Sequence, residues 1–93
     1  MTHQQVKDKI AHALGIKWFR GRDQDWGSAW ILSLKGTKFA GTFLCDLESL
    51  TGKTHLVLMK REFVEGQEVD EELEYFDTQE DNVEQFIEKL KWL

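Results

Sequence analysis

The sequence predicts a two-layer α+β sandwich, in which a four-stranded antiparallel meander carries an N-terminal and a C-terminal helix on one face. Three observations lead to this fold class. Apolar residues recur at helical spacing at both ends of the chain, they alternate with polar residues between positions 30 and 76, and short turns separate the alternating segments. Short connections favour antiparallel neighbours, and amphipathic helices need an apolar sheet face to cover. We therefore expect the order α-β-β-β-β-α in a single domain over residues 1–93.

The first helix has complete start and stop signals. Thr2 and Gln5 have the spacing of a capping box, in which the hydroxyl and the amide satisfy the first backbone N–H groups. Val6 and Ile10 then begin an apolar stripe at helical spacing, and Gly15 suits the left-handed residue that ends a helix. These signals predict a helix over residues 3–14.

The last helix has the same kind of signals. Asp77 or Thr78 is the expected N-cap, and the lysines at positions 89 and 91 complement the negative end of the helix dipole. These signals predict a helix over residues 79–92.

The strands are predicted from a period of two between the helices. Turn residues at Gly36-Thr37, at Ser49–Lys53 and at Glu65–Gln67 separate them. The expected strands cover residues 30–35, 38–47, 55–63 and 69–76. The apolar stripes of helices and strands should meet in one core, formed by Val6, Ile10, Leu14, Trp30, Leu32, Leu34, Phe39, Phe43, Val83, Phe86 and Ile87.

Composition gives the class of protein and an expected location. The 93 residues suffice for one domain with one core, and the lone Cys45 excludes an internal disulfide, which favours a reducing compartment. The first residues lack the basic and apolar regions of a signal peptide, and no apolar run is long enough to span a bilayer. We expect a cytoplasmic protein without a membrane partner.

The net charge of −5 contains a strong asymmetry along the chain. Residues 62–88 contain no Lys or Arg but twelve acidic residues, namely Glu62, Glu65, Glu68, Asp70, Glu71, Glu72, Glu74, Asp77, Glu80, Asp81, Glu84 and Glu88. Such a tract attracts basic partners and repels nucleic acid.

The acidic tract supplies the first candidate binding site. Strict alternation places Asp70, Glu72 and Glu74 on one side of the fourth strand, and Asp81, Glu84 and Glu88 follow on the last helix. One interpretation is an acidic face that docks a basic protein surface. The other is a solvated face whose charges also prevent an edge strand from pairing with other chains. A calcium site is not expected, because the Asp-x-Asp-x-Asp-Gly loop is missing.

The segment 17–28 supplies the second candidate site. It contains Trp18, Arg20, Arg22 and Trp26, and tryptophan and arginine in a loop are typical of binding hot spots. Aromatic residues next to basic ones also stack single-stranded bases. The structural alternative is a long crossover that closes the end of the sandwich.

Trp92 falls opposite the apolar stripe of the last helix. It is expected either to be frayed at the C-terminus or to pack outside this helix's own face, on the loop from Trp18 to Trp26, on a partner or on a second copy of the chain.

No catalytic or metal-binding pattern is present in the sequence. His3 and His12 fall on opposite sides of one helix, His55 is on a strand, and Cys45 is expected to be buried and inert. We expect no enzyme activity and no cofactor or metal. The sequence favours a non-catalytic module that presents an acidic face to a basic protein, with weak single-stranded nucleic-acid binding through residues 17–28 as the alternative.

Overall fold

The computed structural model describes residues 1–23, 27–35 and 38–92 and contains three helices and five strands in this part of the chain. In chain order they are α1 (His3–Leu14), β1 (Phe19–Asp23), β2 (Gly27–Lys35), β3 (Lys38–Asp46), α2 (Glu48–Thr51), β4 (His55–Val64), β5 (Gln67–Asp77) and α3 (Val83–Trp92). The predicted α+β class with N- and C-terminal helices is confirmed, whereas the predicted number of four strands is wrong.

The extra strand is β1. The five strands form one antiparallel sheet in the order β1-β2-β3-β4-β5, and β1 pairs with β2 from Phe19↔Ile31 to Asp23↔Gly27. Its sequence, Phe-Arg-Gly-Arg-Asp, has a single apolar side chain and residues typical of loops. Because a strand at the sheet edge needs ladder hydrogen bonds on one side only, pairing with β2 overrides this weak propensity.

Helix α1 has the predicted bounds and caps. The Thr2 hydroxyl accepts a hydrogen bond from the Gln5 backbone N–H, the Gln5 side chain accepts one from the Thr2 N–H at 2.8 Å, and Gly15 has a φ of 67°. The capping box and the left-handed glycine are both confirmed.

Helix α3 begins four residues later than predicted. Its first turn is capped by Asn82, whose side-chain oxygen accepts from the Gln85 N–H at 3.1 Å. Asp77, one of the two expected caps, instead closes a turn, accepting from the Gln79 N–H at 3.0 Å while its own N–H donates to Asp81 at 2.8 Å. The acidic residues at positions 77–81 therefore form a turn ahead of the helix.

Helices α1 and α3 pack on one face of the sheet, which we call the helix face. Of the predicted core, Leu14 is only half-buried and Trp30 is 38% exposed, while the side chain of Phe39 lies outside the described residues. The buried cluster on this face consists of Val6, Ile10, Leu32, Leu34, Leu44, Leu56, Leu58, Phe76, Val83, Phe86, Ile87 and Leu90.

A second buried cluster lies on the opposite face, which we call the open face because no described residue of α1 or α3 belongs to this cluster. Phe43 was predicted to join the helix-face core and lies here instead, because its neighbour Leu44 takes the helix-side position opposite Leu32. Strand β3 is apolar on both faces, so alternation alone does not fix which set of residues faces the helices. The cluster consists of Ala29, Ile31, Phe43, Cys45, Leu47, Val57 and Met59.

Strands β4 and β5 form a long hairpin around the turn at Glu65 and Gly66, which have φ angles of 53° and 79°. Positive φ at both central residues is typical of a type I′ turn, whose twist matches that of the flanking strands. Near its other end the ladder shifts by one residue, with Leu58 opposite Glu74 and Met59 opposite Glu72. Leu73 is therefore the extra residue of a β-bulge.

None of the described helices is both long and apolar enough to cross a bilayer.

Candidate functional site

The bulge divides the predicted acidic row between the two sheet faces. Glu72 lies opposite Met59, an open-face residue, whereas Glu74 lies opposite Leu58, a helix-face residue. Strict alternation placed both carboxylates on one side, and this prediction is wrong because Leu73 interrupts the period of two. Leu73 is also 47% exposed, so it does not anchor the strand in a core.

The helix-face carboxylates are engaged by partners on the protein itself. Glu74 accepts a hydrogen bond from Lys89 of α3 at 2.8 Å, Glu84 pairs with Lys9 of α1, and Asp81 accepts the Asp77 N–H. The hydrogen bond from Lys9 holds the pKa of Glu84 below its usual range. Glu88, the remaining predicted residue on α3, is exposed.

The open-face carboxylates surround one arginine. Arg61 of β4 donates from Nε and Nη2 to the two carboxylate oxygens of Asp70, at 2.8 and 3.1 Å, and its Nε lies 3.2 Å from Glu68. The guanidinium also lies over the Phe43 ring, 5.2 Å from its centroid. Beside this group, the Tyr75 hydroxyl donates to Glu72, which raises the pKa of Tyr75. Three carboxylates and one guanidinium thus share this part of the face, leaving it acidic.

An apolar groove of about 380 Å³ adjoins these charges. Its walls include Phe19 of β1, Ile31 of β2 and Phe43 of β3, and Arg61 and Phe63 of β4 close it. Phe19 is 47% and Phe63 is 75% exposed, so the face presents aromatic surface to solvent next to the carboxylates.

Gly21 shapes one end of this groove. A Cβ built at this position would lie 2.5 Å from Cδ1 of Ile31 and 3.3 Å from the ring of Phe19. The missing side chain therefore leaves the space in which these two side chains meet across β1 and β2. A glycine in a strand is typical of such a close approach.

Of the described part of the second predicted site, residues 19–23 and 27–28 belong to strands of the sheet, and Trp18 directly precedes β1. Trp18 packs against the helix-face core, and its indole N–H donates to the Lys7 carbonyl at 3.0 Å. Arg20 lies in β1 opposite Trp30, and its guanidinium is 5.4 Å from the centroid of that ring. The structure thus places Arg20 beside Trp30, which was predicted to lie in the core.

The other aromatic and basic predictions fall at the limits of the described chain. Arg22 lies in β1, but its side chain is outside the described part, as is that of Trp92 at the end of α3; Trp26 lies wholly outside the described residues. The suggested dimer contact through Trp92 therefore stays a prediction.

His3 and His55 make polar contacts within the fold. His3 contacts Thr78 through Nδ1 at 2.7 Å and Asp46 through Nε2 at 2.9 Å, and His55 lies 3.4 Å from Asp77. Within residues 1–23, 27–35 and 38–92, no cluster of three or more His, Cys, Asp or Glu side chains has an arrangement suited to a metal ion.

Two groups in the structure were not predicted from the sequence. The first is Arg61 with Phe63, because an arginine within a predicted strand gives no sign of its cross-strand partners. The second is the buried pair of Lys7 and Asp46, in which Nζ lies 2.8 Å from Oδ2. Lys7 stands three residues before Ile10 and seven before Leu14, within the apolar stripe, and a charge in that position was a signal of burial.

Comparison of the chain with protein-family models, with curated proteins and with solved structures finds no match.

Proposed function

We propose that this chain is a non-catalytic protein-interaction module that docks a basic, partly apolar segment of a partner protein on the open face of its sheet. The observation that supports this most directly is the groove lined by Phe19, Phe63 and Glu68. Asp70 binds Arg61, which also lines the groove, and Glu72 lies on the same face of the sheet. Exposed aromatic residues supply binding energy, and adjacent charges select the partner and speed its approach.

Charge complementarity defines the occupant. Among the described residues that line the groove, Arg61 is the one basic side chain, and it is already engaged by Asp70 and Glu68. A segment with apolar side chains for the groove and Lys or Arg for the rim would satisfy both parts of the surface. An acidic segment would meet like charges.

The helix-face carboxylates are a weaker docking surface. Glu74 and Glu84 each have a lysine partner within the protein, so a basic partner would have to compete with Lys89 or Lys9. We therefore assign docking to Glu72 on the open face, with Asp70 holding Arg61 beside the groove through two hydrogen bonds. We assign solvation and helix packing to Glu74, Asp81, Glu84 and Glu88.

Two synthetic peptides test the proposal, one alternating Leu with Lys and the other alternating Leu with Glu. Fluorescence anisotropy of the labelled peptides should show saturable binding of the Leu–Lys peptide only. Binding should weaken as salt rises past the concentration at which the Debye length is about 8 Å. Equal binding of the Leu–Glu peptide would refute charge selection.

Neighbouring residues on opposite faces provide matched controls. Phe63→Ser should reduce the affinity for the Leu–Lys peptide by about tenfold or more, because it removes an exposed aromatic side chain at the groove. Val64→Ser should leave binding unchanged, since Val64 is also exposed, at 51%, but points to the helix side. Likewise Glu72→Gln should weaken binding and Glu74→Gln should not. Equal effects within either pair would place the docking surface elsewhere.

The alternative function, single-stranded nucleic-acid binding, is supported by the stacking of Arg20 on Trp30. Against it, the net charge of −5 and the acidic tract at residues 62–88 repel a polyanion. We expect no quench of tryptophan fluorescence when an oligonucleotide is added at low salt. A saturable quench that Arg20→Ala with Arg22→Ala abolishes would establish the alternative.

A further inference from the structure

A buried lysine on the helix face has hydrogen-bonding capacity that its contacts with the described residues do not use. The Lys7 side chain is 5% exposed, and its Nζ lies 2.8 Å from Oδ2 of Asp46. The same ammonium lies 4.8 Å from the ring centroid of Trp18 and 5.5 Å from that of Trp30.

An ammonium has three N–H donors, and in the described chain one carboxylate oxygen accepts from Lys7. The described chain also places two indole rings near Nζ, which attract a cation but are weak hydrogen-bond acceptors. Buried donors in proteins nearly always have a full acceptor, in the protein, in an ordered water or in a ligand that takes the place of that water. The surroundings of Lys7 therefore favour an additional oxygen acceptor.

A depression next to this lysine is large enough to hold a small molecule. It has a volume of about 520 Å³ and lies between α1 and the start of β1 and β2. Its apolar lining includes Ala11, Ile16 and the two indoles, and Lys7 and Lys17 also line it. Sites for small molecules commonly have this size and this combination of apolar walls with a few polar groups.

We propose that this depression binds a small aromatic carboxylate. The carboxylate accepts hydrogen bonds from the Lys7 ammonium, and the flat ring lies against Trp30, which is partly exposed. A monoanion fits better than a phosphate dianion, because Asp46 contacts the same ammonium and Asp8 also lines the depression. The site lies on the helix side of the sheet, so it is independent of docking on the open face.

The probe for this proposal is benzoate, with binding followed by tryptophan fluorescence and by NMR of the indole N–H groups. We expect saturation with a dissociation constant of about 1 mM or lower, and a shift of the Trp18 and Trp30 indole signals. Benzamide has the same ring without the charge and should bind about tenfold more weakly or not at all. Cyclohexanecarboxylate, with the charge but no flat ring, should also bind more weakly.

Two variants locate the binding site. Trp30→Leu should reduce benzoate affinity by about tenfold or more. Lys53→Gln, which removes an exposed charge after α2, away from the depression, should leave the affinity unchanged. Replacement of Lys7 by Met should abolish binding, and circular dichroism shows whether that variant is folded.

The ligand comparison does not depend on the variants. Equal binding of benzamide and benzoate, or no saturation by benzoate, would overturn the proposal. Tighter binding of phenyl phosphate or of a nucleotide would overturn the assignment to a carboxylate.

Discussion

Replacement of Lys7 by methionine tests whether the helix-face ion pair is buried and paired as described. Methionine keeps most of the apolar stem that packs on Trp18 but removes the charge. The Asp46 carboxylate is 7% exposed and would lose the partner of its Oδ2. Removing one member of a buried ion pair costs about 3–5 kcal/mol, because the other charge stays buried.

The remaining contacts of Asp46 place the expected loss near the lower end of that range. Its Oδ1 still accepts from His3 at 2.9 Å and from the Glu48 N–H at 3.0 Å. We therefore expect the free energy of unfolding, measured by urea titration with circular dichroism, to fall by about 3 kcal/mol.

Lys9 provides the matched control on the same helix. Its side chain is 39% exposed and pairs with Glu84, which is 71% exposed. Lys9→Met should therefore cost less than about 1 kcal/mol. If the two replacements cost the same, the pair of Lys7 and Asp46 is not buried as described, and the reasoning fails.

Two further predictions concern acid stability and the core. Burial opposes ionisation of Asp46, but hydrogen bonds from Lys7, Glu48 and His3 outweigh it and lower its pKa. The contribution of Asp46 to stability is thus complete above its ordinary pKa of about 3.9 and is lost as pH falls through its lower pKa in the folded state. Lys7→Met should therefore shift acid unfolding to higher pH. An unchanged midpoint of acid unfolding would contradict this. Phe86→Ala should lower the free energy of urea unfolding by about 3–5 kcal/mol, because Phe86 is buried and stacks on Phe76 at 4.2 Å between ring centroids. The control Gln85→Ala should change it by no more than about 0.5 kcal/mol. A loss below about 1 kcal/mol for Phe86→Ala would show that α3 does not dock as described.

Local signals predicted the elements whose determinants lie within a few residues. The capping box at Thr2 and Gln5 and the left-handed Gly15 specify both ends of α1, and the Glu65-Gly66 turn specifies the hairpin of β4 and β5. Each depends on backbone geometry over at most one turn of chain, which a sequence pattern records directly.

Features that depend on partners far along the chain could not be predicted in this way. Strand β1 forms because it pairs with the edge of β2, and the residues of β1 alone give little indication of a strand. Phe43 and Leu44 are both apolar, so only the position of the helices decides which of them faces α1 and α3.

The candidate site was predicted in composition but not in arrangement. Acidic residues with a docking role were expected on the fourth predicted strand and the last helix, and Asp70, Glu72 and Glu74 lie on the corresponding strand, β5. Their distribution between two faces depends on pairing with β4, which decides whether Glu72 and Glu74 share a side. The groove beside Arg61 and Phe63 brings residues of all five strands together, and no local pattern encodes such a juxtaposition.

The bulge at Leu73 also determines which length changes β5 can accept. Since Leu73 is the residue that the ladder skips, its deletion would leave Glu72 opposite Met59 and Glu74 opposite Leu58. Deletion of one residue between Glu68 and Glu72 would instead shift the pairing and move side chains to the wrong face. Relatives that differ by one residue in this strand could therefore keep the same fold and the same division of charges, provided that the difference falls at the bulge.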